Sequence, residues 1–246
     1  MTHITHDSEQ LNSRSNPANA NKRQDNSLWV EMWRNDQTDD FHQTVVNPLL
    51  KQFWHQQKPK KNSRVFVPLC GKSLDMLWLA EQGHSVIGVE LSPVAAKAFF
   101  KENNLKVKKS RHGNFTCWRS GNIVIWCGDF FSLQTQQLGH IDIVFDRASL
   151  TALHENVREQ YVAQLRAIID SEASVFLLTV EDIAKATRQH KSHIDDEIVS
   201  LYGRYFEIEL THVQRLDSSP GRSTDQGFFT DSKVYHLSKS SLPPQA

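Results

Sequence analysis

The sequence predicts a doubly wound α/β fold, with a mostly parallel sheet, an antiparallel edge and a helical cap at its N-terminal end. Three observations predict it. Short apolar runs alternate with helix-length amphipathic segments between about residues 64 and 180, as in successive βαβ units. Residues 65–73, Val-Phe-Val-Pro-Leu-Cys-Gly-Lys-Ser, break at Pro68 and turn through Gly71 into a helical pattern, the strand, turn and helix that open such a sheet. The last two extended segments, 206–213 and 228–237, have no helical pattern between them, so they close one edge as an antiparallel pair.

The elements follow in order. Residues 1–26 are mostly Asn, Ser, Gln, Asp and Lys; they hold too little apolar surface to offset ordering entropy and are expected to form a disordered extension. Trp29 and Trp33, with Leu28, Val30 and Met32, predict a short helix, and residues 45–54 a second one with Pro48 near its start. Both precede the first core strand, so they are placed as a cap. The core reads as strand 64–67, helix 73–82, strand 85–90 and helix 93–103. The basic run 106–112 then reads as a solvated loop. Residues 115–119 and 123–126 flank Ser120-Gly121 as a hairpin, followed by strand 141–145, helix 155–169 and strand 175–180. Residues 239–246, with Pro243-Pro244, form a second tail, leaving a single domain over 27–238.

Composition narrows the function classes. A chain of 246 residues with 39% hydrophobic content suits one domain with tails. Basic and acidic residues both number 28, so no net field recruits nucleic acid, which is not an expected partner. Cys70, Cys117 and Cys127 lack C-x-x-C spacing and leave an odd one over, as expected of reduced thiols in a cytoplasmic protein. No apolar run reaches the length of about 18 residues that a membrane span needs, and a monomer is expected. His3 and His6 in the tail and His190-x-x-His193 on a polar segment are read as incidental, so no metal site is expected.

The chemistry is concentrated at the turn. A second apolar run, Val-Ile-Gly-Val-Glu90, ends in an acid nineteen positions after Gly71. In doubly wound sheets an acid about 20 residues beyond the turn accepts hydrogen bonds from the ribose hydroxyls of a nucleoside. A dinucleotide needs G-x-G-x-x-G for its pyrophosphate, and this turn has one glycine. A nucleoside triphosphate needs glycine where Phe66 stands, so a phosphate-loop kinase is disfavoured and Lys72 reads as a solvated helix-start residue. S-adenosylmethionine carries no phosphate. It needs an acid for the ribose and a close backbone approach, which this turn offers.

Several ordered motifs carry a resemblance. Residues 68–84 (Pro-Leu-Cys-Gly-Lys-Ser-Leu-Asp-Met-Leu-Trp-Leu-Ala-Glu-Gln-Gly-His), Gly88-Val-Glu-Leu-Ser-Pro93, Cys127-Gly-Asp-Phe-Phe131 and Asp146-Arg-Ala-Ser-Leu150 resemble the bacterial branch of the thiopurine S-methyltransferases. So do Trp29, Trp33, Phe41-His42 and Asn47-Pro48-Leu49-Leu50. The likeness runs from about residue 27 to 180 and resumes near 201. It implies a class I methyltransferase fold of Rossmann-like type and methyl transfer from S-adenosylmethionine to a small thiol or thione acceptor. Related bacterial proteins are linked to selenium and tellurium methylation, which extends the expected acceptors to anionic chalcogen species. The second reading is a cofactor-binding protein of the same fold with lost or altered acceptor activity.

The resemblance also assigns residues. It implies that Trp33, Leu69, Glu90, Asp129, Phe130 and Arg147 contact the cofactor, Asp129 and Phe130 at the adenine, Leu69 through its backbone and Trp33 from the cap. It implies that Arg147, Arg222, Phe41 and His42 lie on the acceptor side, and it admits Trp29 beside Trp33 as a cover over the cofactor. The residues alone leave alternatives: an Asx turn at Asp129, core packing for Trp29, Trp33 and His42, a neighbouring acid for Arg147, a loop position for Arg222. No Asp/Asn-Pro-Pro-Tyr/Phe follows strand 141–145, which favours a soft or acidic nucleophile over an amine. After strand 175–180 the family's Gly-Pro-Pro-Phe-like segment is missing and no proline or glycine occurs before Gly203, so a wider or more mobile acceptor pocket is expected.

Overall fold

A computed structural model describes residues 17–38, 42–184, 195–216 and 228–240. Among them, nine strands form one sheet in the order β3-β4-β5-β2-β1-β6-β7-β9-β8. The middle is parallel: β1 (Arg64–Val67) pairs with β2 (Ser85–Glu90) on one side and β6 (Ile143–Arg147) on the other, β2 pairs with β5 (Ile123–Cys127), and β6 with β7 (Ser174–Ala184). Both ends are antiparallel, with β3 (Lys108–His112) and β4 (Phe115–Ser120) beyond β5, and β9 (Phe228–Lys239) and β8 (Phe206–Leu216) beyond β7.

Strand alternation feeds two cores, one on each face. Val65 and Val67 point to the face covered by α2 (Pro48–Phe53), α3 (Asp75–Glu81) and α4 (Pro93–Glu102), where Leu50, Trp54, Met76, Leu79 and Phe99 are buried. Phe66 points to the opposite face, against Tyr161, Val162 and Leu165 of α6 (Glu155–Ile168) and Ile198 and Tyr202 of α7 (Asp196–Tyr202). Caps fix where the helices begin. Asn47 accepts from the N–H groups of Leu49 and Leu50 with Pro48 in the first turn, and Ser92 accepts from Ala95 with Pro93 following. Gly88 on β2 lets the Pro68-to-Gly71 turn lie on the sheet, because a Cβ there would stand 2.6 Å from Cys70 Sγ.

The structure differs from the sequence reading at identifiable places. Helix α1 runs over Pro17–Arg34 and therefore begins inside the region expected as a disordered extension; Pro17 opens it and the Trp29–Trp33 repeat carries it onto the body of the fold. The basic run read as a solvated loop contains β3, whose five residues are all exposed and are paired through the backbone of β4. Strand β6 starts at Ile143, since the Ile141 N–H donates to Asp170 Oδ2 at 2.6 Å and so leaves the ladder. Strand β7 continues to Ala184 because β9 runs beside it as far as Phe228. Helix α7 lies in the stretch before Gly203 whose lack of proline and glycine permits a helix; Asp195 caps it by accepting from the Glu197 N–H.

Candidate active site

A cavity of about 220 Å³ lies at the carboxyl ends of the central strands, where open α/β sheets bind ligands at the reversal of strand order. Its walls are the turn after β1 (Leu69 to Ser73), the end of β2 (Glu90, Leu91), the 3-10 turn after β5 (Asp129 to Phe131) and the loop after β6 (Arg147 to Leu153). Helix α1 contributes Asn26, Trp29 and Trp33, and His42 follows from the cap.

Glu90 is 6% exposed, yet its carboxylate is met by backbone donors: the Gly71 N–H reaches Oε2 at 2.8 Å and the Ser92 N–H reaches Oε1 at 2.6 Å. Burial pushes its carboxyl up to about 7, and the N–H groups of Ser92, Gly71 and Leu91 oppose that rise. A carboxylate has about four lone-pair sites, so acceptor capacity remains for hydroxyl donors at the cavity wall. The turn that supplies the Gly71 N–H is strained. Leu69 has φ of 44° and Gly71 φ of 52°, and a Cβ on Gly71 would stand 3.0 Å from the Trp33 ring. Trp33 therefore closes down directly on glycine backbone.

Across the cavity, Asp129 caps the 3-10 turn by accepting from the Phe131 N–H at 3.0 Å, the Asx-type arrangement left open above, while still lining the cavity. Phe130 beside it is buried and its ring centroid lies 4.8 Å from that of Tyr161. Arg147 ends β6 on the cavity wall, its Nε donating to Asp75 Oδ2 at 3.1 Å. Ala148 next to it has φ of 63°, a left-handed backbone held in place as its N–H donates to the Leu178 carbonyl. Asp146 points away into the core, where burial raises its carboxyl and Tyr161 Oη donates to it at 2.6 Å. Trp29 Nε1 donates to the Ala152 carbonyl at 2.7 Å, tying α1 to the loop after β6, and the His42 ring centroid lies 6.3 Å from that of Trp33.

The structure thus brings Trp29, Trp33, His42, Leu69, Glu90, Asp129, Phe130 and Arg147 around one cavity. Phe41 and Arg222, and the His190-x-x-His193 pair, lie outside the described residues. Sequence reasoning missed Asp75, which reads as an ordinary acid in a first helical turn; its signal is the Ser-x-Asp spacing after the glycine turn. It also missed the strained Ala148, whose residue type gives no sign of a positive φ. The residues present fit a nucleoside bearing a short polar tail: a buried acid with spare acceptor capacity, the Leu69-to-Gly71 turn on the cavity wall, aromatic walls, and one arginine.

Fold and cavity together define a class I S-adenosylmethionine-dependent methyltransferase. Solved structures share the fold. A SAM-dependent methyltransferase from Anabaena variabilis superposes with a TM-score of 0.60 at 13% identity, covering 87% of this chain and 95% of that one. The 1,6-didemethyltoxoflavin-N1-methyltransferase of Burkholderia thailandensis, solved with S-adenosylhomocysteine bound, gives 0.59 at 13% identity over 93% and 94%. The family is set by sequence. The thiopurine S-methyltransferase family model matches residues 24–240. The thiopurine S-methyltransferase of Stutzerimonas stutzeri is 53% identical over 90% of this chain and 94% of its own, and that of Methylococcus capsulatus 41% identical over 80% and 89%. The chain belongs to the thiopurine S-methyltransferase family. Among its described residues no helix is long and apolar enough to cross a membrane.

Proposed function

We propose that the chain methylates the ionised sulfur of a small thiol or thione, or an anionic selenium or tellurium species, with S-adenosylmethionine as donor held in the cavity at the carboxyl ends of β1, β2, β5 and β6. The observation that carries this reading is the buried Glu90 carboxylate, nineteen residues after Gly71 and bonded to its N–H, with acceptor capacity left for a ribose diol. When bound, the donor supplies a sulfonium methyl group that needs no further activation. The protein's share is alignment and charge. Glu90 fixes the ribose, the backbone of Leu69 approaches the cofactor, Asp129 and Phe130 border the adenine, and Trp33 covers it and excludes water.

On the acceptor side, the Arg147 guanidinium favours a sulfur anion over its protonated form, so an acidic thiol or thione reacts without a strong base. Arg222, Phe41 and His42 are assigned to the same side through the family. His42 stands at the cavity wall beside Trp33 as a neighbour of the acceptor, and the reaction needs no obligatory base. The loop after β6 also borders a second cavity of about 350 Å³ between the ends of β7 and α7, which supports a roomy acceptor side. With no Gly-Pro-Pro-Phe-like segment after β7 to clamp a flat ring, and polar and basic residues in its place in the sequence, small anionic thiols and chalcogen oxyanions are favoured over flat thiopurines.

Calorimetry with S-adenosylmethionine, NAD and ATP, followed by methyl transfer to an aromatic thiol, to 6-mercaptopurine and to selenite, tests the reading. S-adenosylmethionine alone should bind, Glu90→Ala should weaken it by about 1.5–3 kcal/mol, and the small acceptors should turn over faster than 6-mercaptopurine. Binding without transfer to any acceptor supports a cofactor-binding protein instead. Unchanged affinity in a folded Glu90→Ala protein removes the ribose assignment.

A further inference from the structure

Among the described residues, Arg147 is held by one nitrogen. Its Nε donates to Asp75 Oδ2, whereas its two Nη nitrogens make no hydrogen bond among the described residues, and the side chain borders the cavity. Asp75 itself is 1% exposed, and its carboxylate gathers three donors: Arg147 Nε at 3.1 Å, the Ser73 hydroxyl at 2.9 Å and the Asn47 backbone N–H at 2.8 Å. Those donors come from three separate parts of the cavity's frame. Arg147 ends β6, Ser73 closes the glycine turn, and Asn47 starts α2 at the end of the stretch that carries His42. A buried carboxylate met by three donors is both satisfied and fixed in orientation, and it fixes what it holds. Its grip on Nε leaves the outer edge of the planar guanidinium, with its paired N–H groups, turned over to an anion.

We propose that Asp75 is a positioning residue for methyl transfer: it pins Arg147 through Nε so that the Nη edge is presented to the anionic acceptor, and it ties that arginine to the cap and to the glycine turn. The proposal rests on the reading of Arg147 as the acceptor-side guanidinium. Asp75 touches neither donor nor acceptor and acts only through Arg147. A purely structural Asp75, serving as a first-turn acid of α3, would instead lower stability without changing what Arg147 contributes.

The test uses the full chain and four proteins: wild type, Asp75→Asn, Arg147→Ala and the double variant, read by kcat/KM with a small aromatic thiol. Asparagine keeps the shape and can still accept from the Asn47 N–H, but its amide nitrogen opposes Arg147 Nε, donor against donor. Asp75→Asn should lower kcat/KM about tenfold or more, and the double variant should be no worse than Arg147→Ala alone, since both act on one group. Asp75→Glu should restore part of the loss. Wild-type turnover in Arg147→Ala overturns the reading of Arg147 itself. A damaged Arg147→Ala beside an unaffected Asp75→Asn, or losses that multiply in the double variant, overturns the positioning role alone. Should Asp75→Asn fail to fold, the wild-type protein still decides: the Arg147 Nε proton, assigned by its absence in Arg147→Ala, should exchange slowly with solvent. Exchange as fast as that of surface arginines overturns the proposal.

Discussion

The raised carboxyl of Glu90 makes cofactor binding a proton-linked event. Burial lifts this group from its ordinary 4.5 to about 7, so in the ligand-free protein it is mostly protonated at pH 6. Two ribose hydroxyls donating to it require the ionised form, so S-adenosylmethionine must displace a proton on binding below about pH 7. Affinity should then be roughly constant above pH 7.5, weaker by about tenfold at pH 6 and by about a hundredfold at pH 5, or about 1.4 kcal/mol per unit. The two thiols that share its charge do not titrate in that window, and the comparison with Glu90→Gln separates Glu90 from His42, which also lines the cavity. Cys70 and Cys127 face the same carboxylate, and burial first, then the Glu90 charge, raises both thiols, Cys127 to about 11. Lys72 on the turn is paired with Glu102 at 3.0 Å. The assay is calorimetry from about pH 5 to 8 in buffers of different ionisation heat, on wild type and Glu90→Gln, with the difference isolating this group. The sign for folding is the reverse: a folded-state value above the unfolded one stabilises below about pH 4.5, and that stability is lost as pH rises through about 7. Wild-type affinity that is flat across the range, or the same slope in Glu90→Gln, would refute the reasoning.

Three further outcomes are expected. Gly88→Ala should cost about 1–3 kcal/mol in a denaturant titration, because the new Cβ meets Cys70 Sγ at 2.6 Å and Met76 Sδ at 3.1 Å; Cys70→Ala in the same chain should recover part of it. Gly71→Ala should lower the melting temperature and weaken S-adenosylmethionine binding together, since its φ of 52° disfavours a side chain and the added Cβ presses on Trp33. A variant that binds normally would show that Trp33 does not cover the cofactor. Tyr161→Phe should destabilise by about 1.5–3 kcal/mol through loss of the 2.6 Å bond to buried Asp146, with cofactor affinity unchanged because Asp146 faces away from the cavity; an equal loss in affinity would place Asp146 in the site.

Strands β1 and β2 were readable to the residue because apolar side chains that fill both faces of a central strand leave an uninterrupted run bounded by turn residues. The same logic fails for β3. Its Lys-Lys-Ser-Arg-His sequence buries nothing, and its strand character comes from the β4 backbone, which no local pattern announces. The extra length of β7 comes likewise from β9, far away in the chain. At the site, Glu90 was visible because its spacing from Gly71 is set by one strand-helix-strand unit. Asp75 was not, because its partners Asn47 and Arg147 lie 28 and 72 positions away and meet only in the folded chain.

The exposed edge strand β3 bears on how a sheet this wide stays a property of one molecule. Any open strand offers unpaired N–H and C=O groups to a second chain, and lateral addition of that kind leads to fibrils. Strand β3 meets this hazard with two lysines and an arginine among five exposed residues, whose mutual repulsion opposes the approach of another copy's β3. At the opposite edge, β8 shifts register between Leu210 and His212 and places Glu207 and Glu209 outward, so that rim is neither flat nor neutral. Neutralising β3, for instance by replacing Lys108, Lys109 and Arg111 with threonine, would leave the cavity intact and convert a charged rim into a template for β-mediated aggregation.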